Sequence, residues 1–157
     1  MRYIKRLFAV LGLLILAAAC GQNQQPINQV SEKPYTERIT VGRTPLYIQR
    51  VTSPQDMANG LSGRPALTDN QGMLFDFGAG TSTEPSFWMK DMLFDLDLVW
   101  IKNNTIIGIT KNVPAPKTST GQLPVYSPPA PVDAVLEVNA GWTDSHEIQT
   151  GTTISEQ

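Results

Sequence analysis

The sequence predicts a mainly β fold with minor α: a single α+β domain, built as a mostly antiparallel sandwich or open barrel with one or two short helices. Apolar residues fall in many short runs, and turns rich in Gly, Pro, Asn and Asp separate those runs. That is the signature of short strands joined by tight connections. Nowhere do strands alternate with long helices, which argues against a doubly wound parallel sheet.

Ile39, Val41, Leu46, Ile48 and Val51 mark two strands around Gly42-Arg43-Thr44, a hairpin. Ser53-Pro54-Gln55-Asp56 follows. Ser is a good N-cap, Pro suits the first helical position and Asp favours the first turn, so a short helix is expected from Pro54 to Asn59, ended by Gly60. Met57 and Leu61, at i and i+4, share its core side. Thr68 to Gly72 is turn chemistry leading into a strand over Met73–Phe77, and Gly78 to Pro85 is a loop. Phe87–Lys90 and Leu96–Lys102 are two more apolar runs. Asn103-Asn104 reads as a hairpin turn, because Asn tolerates positive φ, with Thr105–Thr110 returning as a strand.

Residues 112–131 form a long connection holding six of the twelve prolines. Such a segment is either a functional cover or a polyproline-like strap over a sheet edge. Ala134–Val138 is a buried strand, Trp142–His146 one helical turn, and Ile148–Ile154 contains the final strand.

The N-terminus carries a different signal. Arg2, Lys5 and Arg6 precede thirteen apolar residues, Leu7 to Ala19. A spanning helix needs about 20, so residues 1–19 read as a signal peptide. The stretch LAAAC resembles a lipobox, with Cys20, the sole cysteine, as the lipidated first residue of the mature chain. Acyl chains on Cys20 make the lipid bilayer the expected partner. Gly21 stands where an inner-membrane retention signal would place Asp, which points to the outer membrane, facing the periplasm. Residues 20–33 are polar and Gln/Asn-rich, a flexible tether with a reach of about 20 Å. Residues 34–157 are then the β-rich domain, able to bury roughly two-thirds of its unfolded surface. A single cysteine leaves that domain without an internal disulfide.

The whole chain has net charge −2. Removing the three basic residues of the leader leaves nine basic against fourteen acidic side chains, or −5. An acidic protein without a basic run argues against a nucleic-acid partner and against charge-driven binding to anionic lipid.

Five motifs, NGLSGR (59–64), GMLFDF (72–77), FWMKDM (87–92), LDLVWI (96–101) and VLEVNAGW (135–142), resemble domain-of-unknown-function family 192, a widespread prokaryotic domain. With the upstream hairpin, the resemblance covers nearly the whole mature domain. It implies a β-rich fold with small helices and frequent export, and it carries no assigned activity. Asp91, Met92 and Asp95 stand where the family usually has Asn, Thr and Pro, so no role for a small polar side chain carries over to Met92.

Two carboxylates sit inside apolar strands. In Leu96–Ile101, Leu96, Leu98 and Trp100 share one face, and Asp97 shares the other with Val99 and Ile101. Glu137 lies between Leu136 and Val138 and shares a face with Val135. Buried carboxylates are costly unless paired and hydrogen-bonded. Two cations, Arg64 and Lys90, flank apolar segments. The expectation is that Arg64, Lys90, Asp97 and Glu137 converge. Three readings fit such a cluster: a closed ion-pair network, the floor of a pocket for a small polar or glycan ligand with Trp88 as its wall, or an acid–base pair of Asp97 and Glu137 hydrolysing envelope glycans.

Other candidates are weaker. Asp95 and Asp97 offer too few oxygen donors for a metal. His146, the one histidine, lacks a GxSxG-like elbow and reads as a surface residue. Met89 and Met92 read as core rather than copper ligands. Gly78-Ala79-Gly80 lacks the lysine and helix start of a phosphate cradle. No cofactor and no metal site is therefore expected. The functional expectation is a membrane-tethered envelope lipoprotein with a small-ligand-binding or accessory domain, the alternative being a glycan hydrolase.

Overall fold

Alternating Ile39-Thr40-Val41 and Leu46-Tyr47-Ile48 form the expected hairpin: β1 (Glu37–Val41) pairs antiparallel with β2 (Thr44–Val51). Gly42 stands at the first central position of the turn with φ +61°, where a side chain would be strained. The computed structural model describes residues 34–118 and 121–156. The expected signal peptide (1–19), lipidated Cys20 and tether (20–33) lie outside the described residues.

Helix α1 (Pro54–Asn59) starts as its sequence dictates. Ser53 Oγ accepts the Asp56 N–H at 3.1 Å, and Gly60 ends the helix at φ 49°. Leu61 is buried, whereas Met57 only packs partly against the core. The segment from α1 to residue 70 is a crossover, for β3 (Gln71–Asp76) runs parallel to β2. This is the one departure from antiparallel pairing in the main sheet. The remaining elements are β4 (Phe87–Trp88), β5 (Leu96–Lys102), β6 (Thr105–Val113), β7 (Val125–Tyr126), β8 (Ala134–Asn139), α2 (Trp142–Ser145) and β9 (Ile154–Glu156).

Seven strands form one mixed sheet in the order β6-β5-β8-β3-β2-β1-β9, and β4 pairs with β7 apart from it. The sheet curls into a half-barrel, so of the two expected architectures the open barrel is formed and the sandwich is not. Its two edges approach at one corner. Thr105 bridges Thr153, Ile106 N donates to Thr152 O (2.9 Å), and Ile154 N donates to Asn104 O (2.8 Å). Asn103 and Asn104 take φ 48° and 56°, the expected turn between β5 and β6.

Curling gives the sheet unequal faces. On the inner face Ile39, Ile48, Leu74, Val99, Leu136 and Val138 join Ile106 and Ile154 from the two edges, together with Trp142. On the outer face Met73, Phe75, Leu98, Trp100 and Val135 are covered by Leu61, Met89, Met92 and Val132.

Two segments differ from expectation. β6 continues to Val113, past Thr110, because bulges opposite β5 let the ladder resume. The long proline-bearing connection takes one of its two expected forms, a strap against an edge strand: its β7 pairs with β4, and Pro129 sits against Gly108 of β6. The last strand begins only at Ile154, since Gly151 (φ 90°) turns the preceding chain.

Candidate functional site

Asp97 is fully buried on β5 and faces inward. Its Oδ1 accepts the N–H groups of Asn112 (2.9 Å) and Gly141 (3.2 Å), and its Oδ2 accepts the Thr143 N–H (3.1 Å) and hydroxyl (2.6 Å). One carboxylate thus ties β5 to the end of β6 and to the start of α2. The Asn112 N–H is free to reach it because the β5–β6 ladder is irregular between Leu96 and Leu98, where Asn112 takes φ 53°. Four hydrogen bonds satisfy the carboxylate where it stands.

Glu137 is different in every respect. In the β5–β8 register Leu98 is opposite Glu137, and Asp97 is opposite Val138. Glu137 therefore shares the outer face with Leu98 and Met73, and Asp97 points to the inner one. The expected convergence of the four charged residues does not form, for this reason of parity. Nor can Asp97 and Glu137 flank one scissile bond, because the sheet itself lies between them.

The Glu137 side chain is 6 % exposed, and its carboxyl makes no hydrogen bond among the described residues. Burial pushes it up to about 8 from an ordinary 4.5, opposed by the positive field of Arg64. It lies at the bottom of a cleft of about 240 Å³. Phe75, Phe77, Phe87, Trp88, Met57 and Met92 form the walls, with the α1–Ser62 segment on one side. The sequence builds these walls from α1 and its Gly60 turn, the outward residues of β3, and β4. Phe75 meets Phe87 edge to face at 5.0 Å, and Phe87 meets Trp100 at 5.7 Å, which holds β4 against the sheet.

The remaining expected site residues separate. Trp88 lines the cleft and is 61 % exposed. Arg64 is close enough for its charge to act on Glu137, but its Nη1 donates to Gln49 Oε1 (2.7 Å) and to the Tyr35 hydroxyl (3.4 Å). Lys90 is exposed, and its carbonyl accepts Ser62 Oγ at 2.9 Å.

Among the other candidates, Met89 and Met92 are buried in the outer-face core. Asp95 caps the Ala115 N–H at 2.8 Å. His146 is not a plain surface residue: its ring stacks on Trp142 at 4.6 Å, its Nδ1 donates to Trp142 O (2.9 Å), and its Nε2 lies 3.4 Å from Asp69. With Nδ1 donating to a carbonyl and Ser145 Oγ donating to the same carbonyl at 3.0 Å, the ring holds no basic nitrogen toward Ser145. Among the described residues no group of three or more His, Cys, Asp or Glu is placed to hold a metal, and no helix is long and apolar enough to cross a membrane.

A larger hollow, about 370 Å³, opens at one end of the inner face beside Arg50, Asp76, Asp133 and Glu156. Its charges are mutually satisfied: Arg50 binds Glu37, Asp76 (2.7 Å) and Glu156 (2.6 Å), while Asp133 accepts the Asn103 N–H at 2.9 Å. The smaller outer cleft is the better candidate because its one acid is unsatisfied.

Sequence reasoning named Trp88 as a wall but missed Thr143, Gln49 and the other walls. Gln49 carried a usable signal, a polar residue inside the apolar strand Leu46–Val51. The walls carried none, because Phe75, Phe87 and Met57 read equally well as ordinary core.

Fold and site together define a half-barrel domain with an aromatic, acid-floored cleft on the outer face of its sheet. The chain belongs to domain-of-unknown-function family 192, described as "Uncharacterized ACR", whose profile matches residues 37–155. Two crystal structures are similar. One, from Sinorhizobium meliloti 1021, described as a candidate transcription regulator, is 28% identical with TM-score 0.66, over 76% of this chain and 92% of that one. The other, a protein of unknown function from Novosphingobium aromaticivorans DSM 12444, is 24% identical with TM-score 0.66, over 75% and 83% of the two chains, and shows the shared fold. No curated protein matches the chain.

Proposed function

We propose that this protein is an exported, Cys20-lipidated domain that binds a small ligand in the cleft above Glu137. One observation carries the binding reading. A buried carboxyl without a hydrogen-bond partner faces a preformed aromatic cleft, although a fold that needed only stability would gain by replacing it with an apolar side chain. The exposed Trp88 ring at the rim supports it, being a large apolar surface left in solvent beside a cavity.

The tether reading rests on sequence. A short apolar leader ending at a unique cysteine, followed by a polar spacer, holds the domain close to the outer membrane on its periplasmic side. The cleft then samples molecules near that surface. Hydrolysis of glycans by Asp97 and Glu137 loses its geometric basis, since the two groups reach opposite faces.

Both parts are tested on protein extracted from host membranes. Mass spectrometry of the intact chain is expected to show Cys20 at its start, bearing a diacylglyceryl mass. Under native conditions a non-covalent adduct is expected in the wild type and not in the Trp88→Ala protein. An unmodified Cys20 defeats the anchor. A bare wild-type domain, or an adduct indifferent to Trp88→Ala, defeats the cleft.

A further inference from the structure

We infer that the cleft selects a ligand bearing an ammonium group, seated against the aromatic walls with its N–H donors on the Glu137 carboxyl. The inference rests on the reading of the cleft as a binding site and adds its chemical class.

Among the described residues Glu137 is the only ionisable one lining the cleft. Arg64 acts on it only through its field, bonds Gln49 and Tyr35 through Nη1 and does not line the cleft, so among the described residues no cation reaches in to receive an anion. Across the ladder Glu137 is flanked by Leu98 and Met73, which offer it neither charge nor hydrogen bond. An anionic ligand would therefore meet a carboxyl and no counter-charge. A purely apolar ligand would leave the acid with no partner, as it is now.

An ammonium group answers both conditions. It donates to a carboxylate, and the aromatic rings of Phe75, Phe87 and Trp88 that line the cleft attract a cation. The walls accept the apolar body attached to it. Held neutral by burial, Glu137 gives up its proton on binding: the O–H bond breaks, the proton goes to solvent, and the carboxylate pairs with the ligand's N–H groups. Arg64, the one charged group acting on Glu137, favours that ionised state but does not neutralise it.

The full-length mature protein is titrated with benzylamine hydrochloride, tetramethylammonium chloride and benzyl alcohol. Tryptophan fluorescence is the readout, because Trp88 alone of the three tryptophans lines the cleft and its surroundings change when a probe enters. Calorimetry in two buffers of different ionisation enthalpy counts protons. The inference expects benzylammonium to bind at least tenfold more tightly than benzyl alcohol. Its affinity should rise about tenfold per pH unit from pH 6 to 7.5, with close to one proton released. In Glu137→Gln the preference and the pH slope should vanish. The wild-type proton count needs no variant and stands whether or not Glu137→Gln folds. Equal binding of amine and alcohol without proton release overturns the ammonium assignment and leaves the cleft a binding site. Failure of all three probes to bind overturns the binding reading, and the assignment with it.

Discussion

Across the β5–β8 ladder Asp97 stands opposite Val138 and Glu137 opposite Leu98, so the two buried carboxyl groups point to opposite faces of one sheet. They also face opposite chemistry. Asp97 receives four hydrogen bonds on the inner face, and Glu137 receives none at the base of an outer cleft. The first is a structural tie and the second a group held at a cost to stability.

Replacing Asp97 by Asn should destabilise the domain by about 3 kcal/mol. The amide nitrogen of Asn would face two N–H donors, or an N–H and a hydroxyl, whichever way it turned. Thr143→Val, which removes only the 2.6 Å hydroxyl bond, should cost about 1 kcal/mol. Urea unfolding measures both; an Asp97→Asn midpoint equal to the wild type's would show that this tie does not hold α2.

Glu137 should make stability fall with rising pH. The unfolded chain loses this proton near 4.5 and the folded chain keeps it to about 8. Between those values folding takes up a proton, so stability drops by about 1.4 kcal/mol per pH unit and levels off above 8. Glu137→Gln, an isostere of the neutral acid, should remove that slope and be the more stable protein at pH 8. Unfolding midpoints at pH 5, 6.5 and 8 test this, and parallel curves for the two proteins would refute it.

Gly108→Ala should loosen the strap. A Cβ there would lie 2.8 Å from Pro129 Cγ and 3.3 Å from Trp100 Cδ1, and a proline ring bends little. The expected loss is about 2 kcal/mol, partly restored in the Gly108→Ala/Pro129→Ala double variant. Thermal melts of the three proteins should show the two positions coupled rather than additive.

Arg50 gathers Glu37, Asp76 and Glu156 from three strands at one end of the half-barrel. Because these groups are partly solvated, Arg50→Met should cost only about 1 kcal/mol, and the cost should shrink further in 1 M salt. A loss that is large and insensitive to salt would mean that the guanidinium acts through packing instead.

The β-rich class, the β1–β2 hairpin, the capped helix α1 and the Asn103-Asn104 turn were all legible in the sequence. Each depends on neighbours along the chain: alternation, a Ser-Pro start, residues that tolerate positive φ. Leu96–Ile101 likewise revealed that Asp97 shares a face with Val99 and Ile101. The parallel β2–β3 pair and the β4–β7 pairing were not legible, since each is settled by contacts between distant segments.

By itself, then, the sequence determined most of the strands and turns and the place of both acids within apolar strands, and it holds the leader pattern on which the Cys20 proposal rests. Only the tertiary structure decided that Leu98, and not Asp97, faces Glu137. With a side-chain period of two, one step of register moves a residue to the other side of the sheet, and register is a property of paired strands rather than of either strand alone. That single step left Asp97 enclosed in hydrogen bonds and Glu137 open to an aromatic cleft.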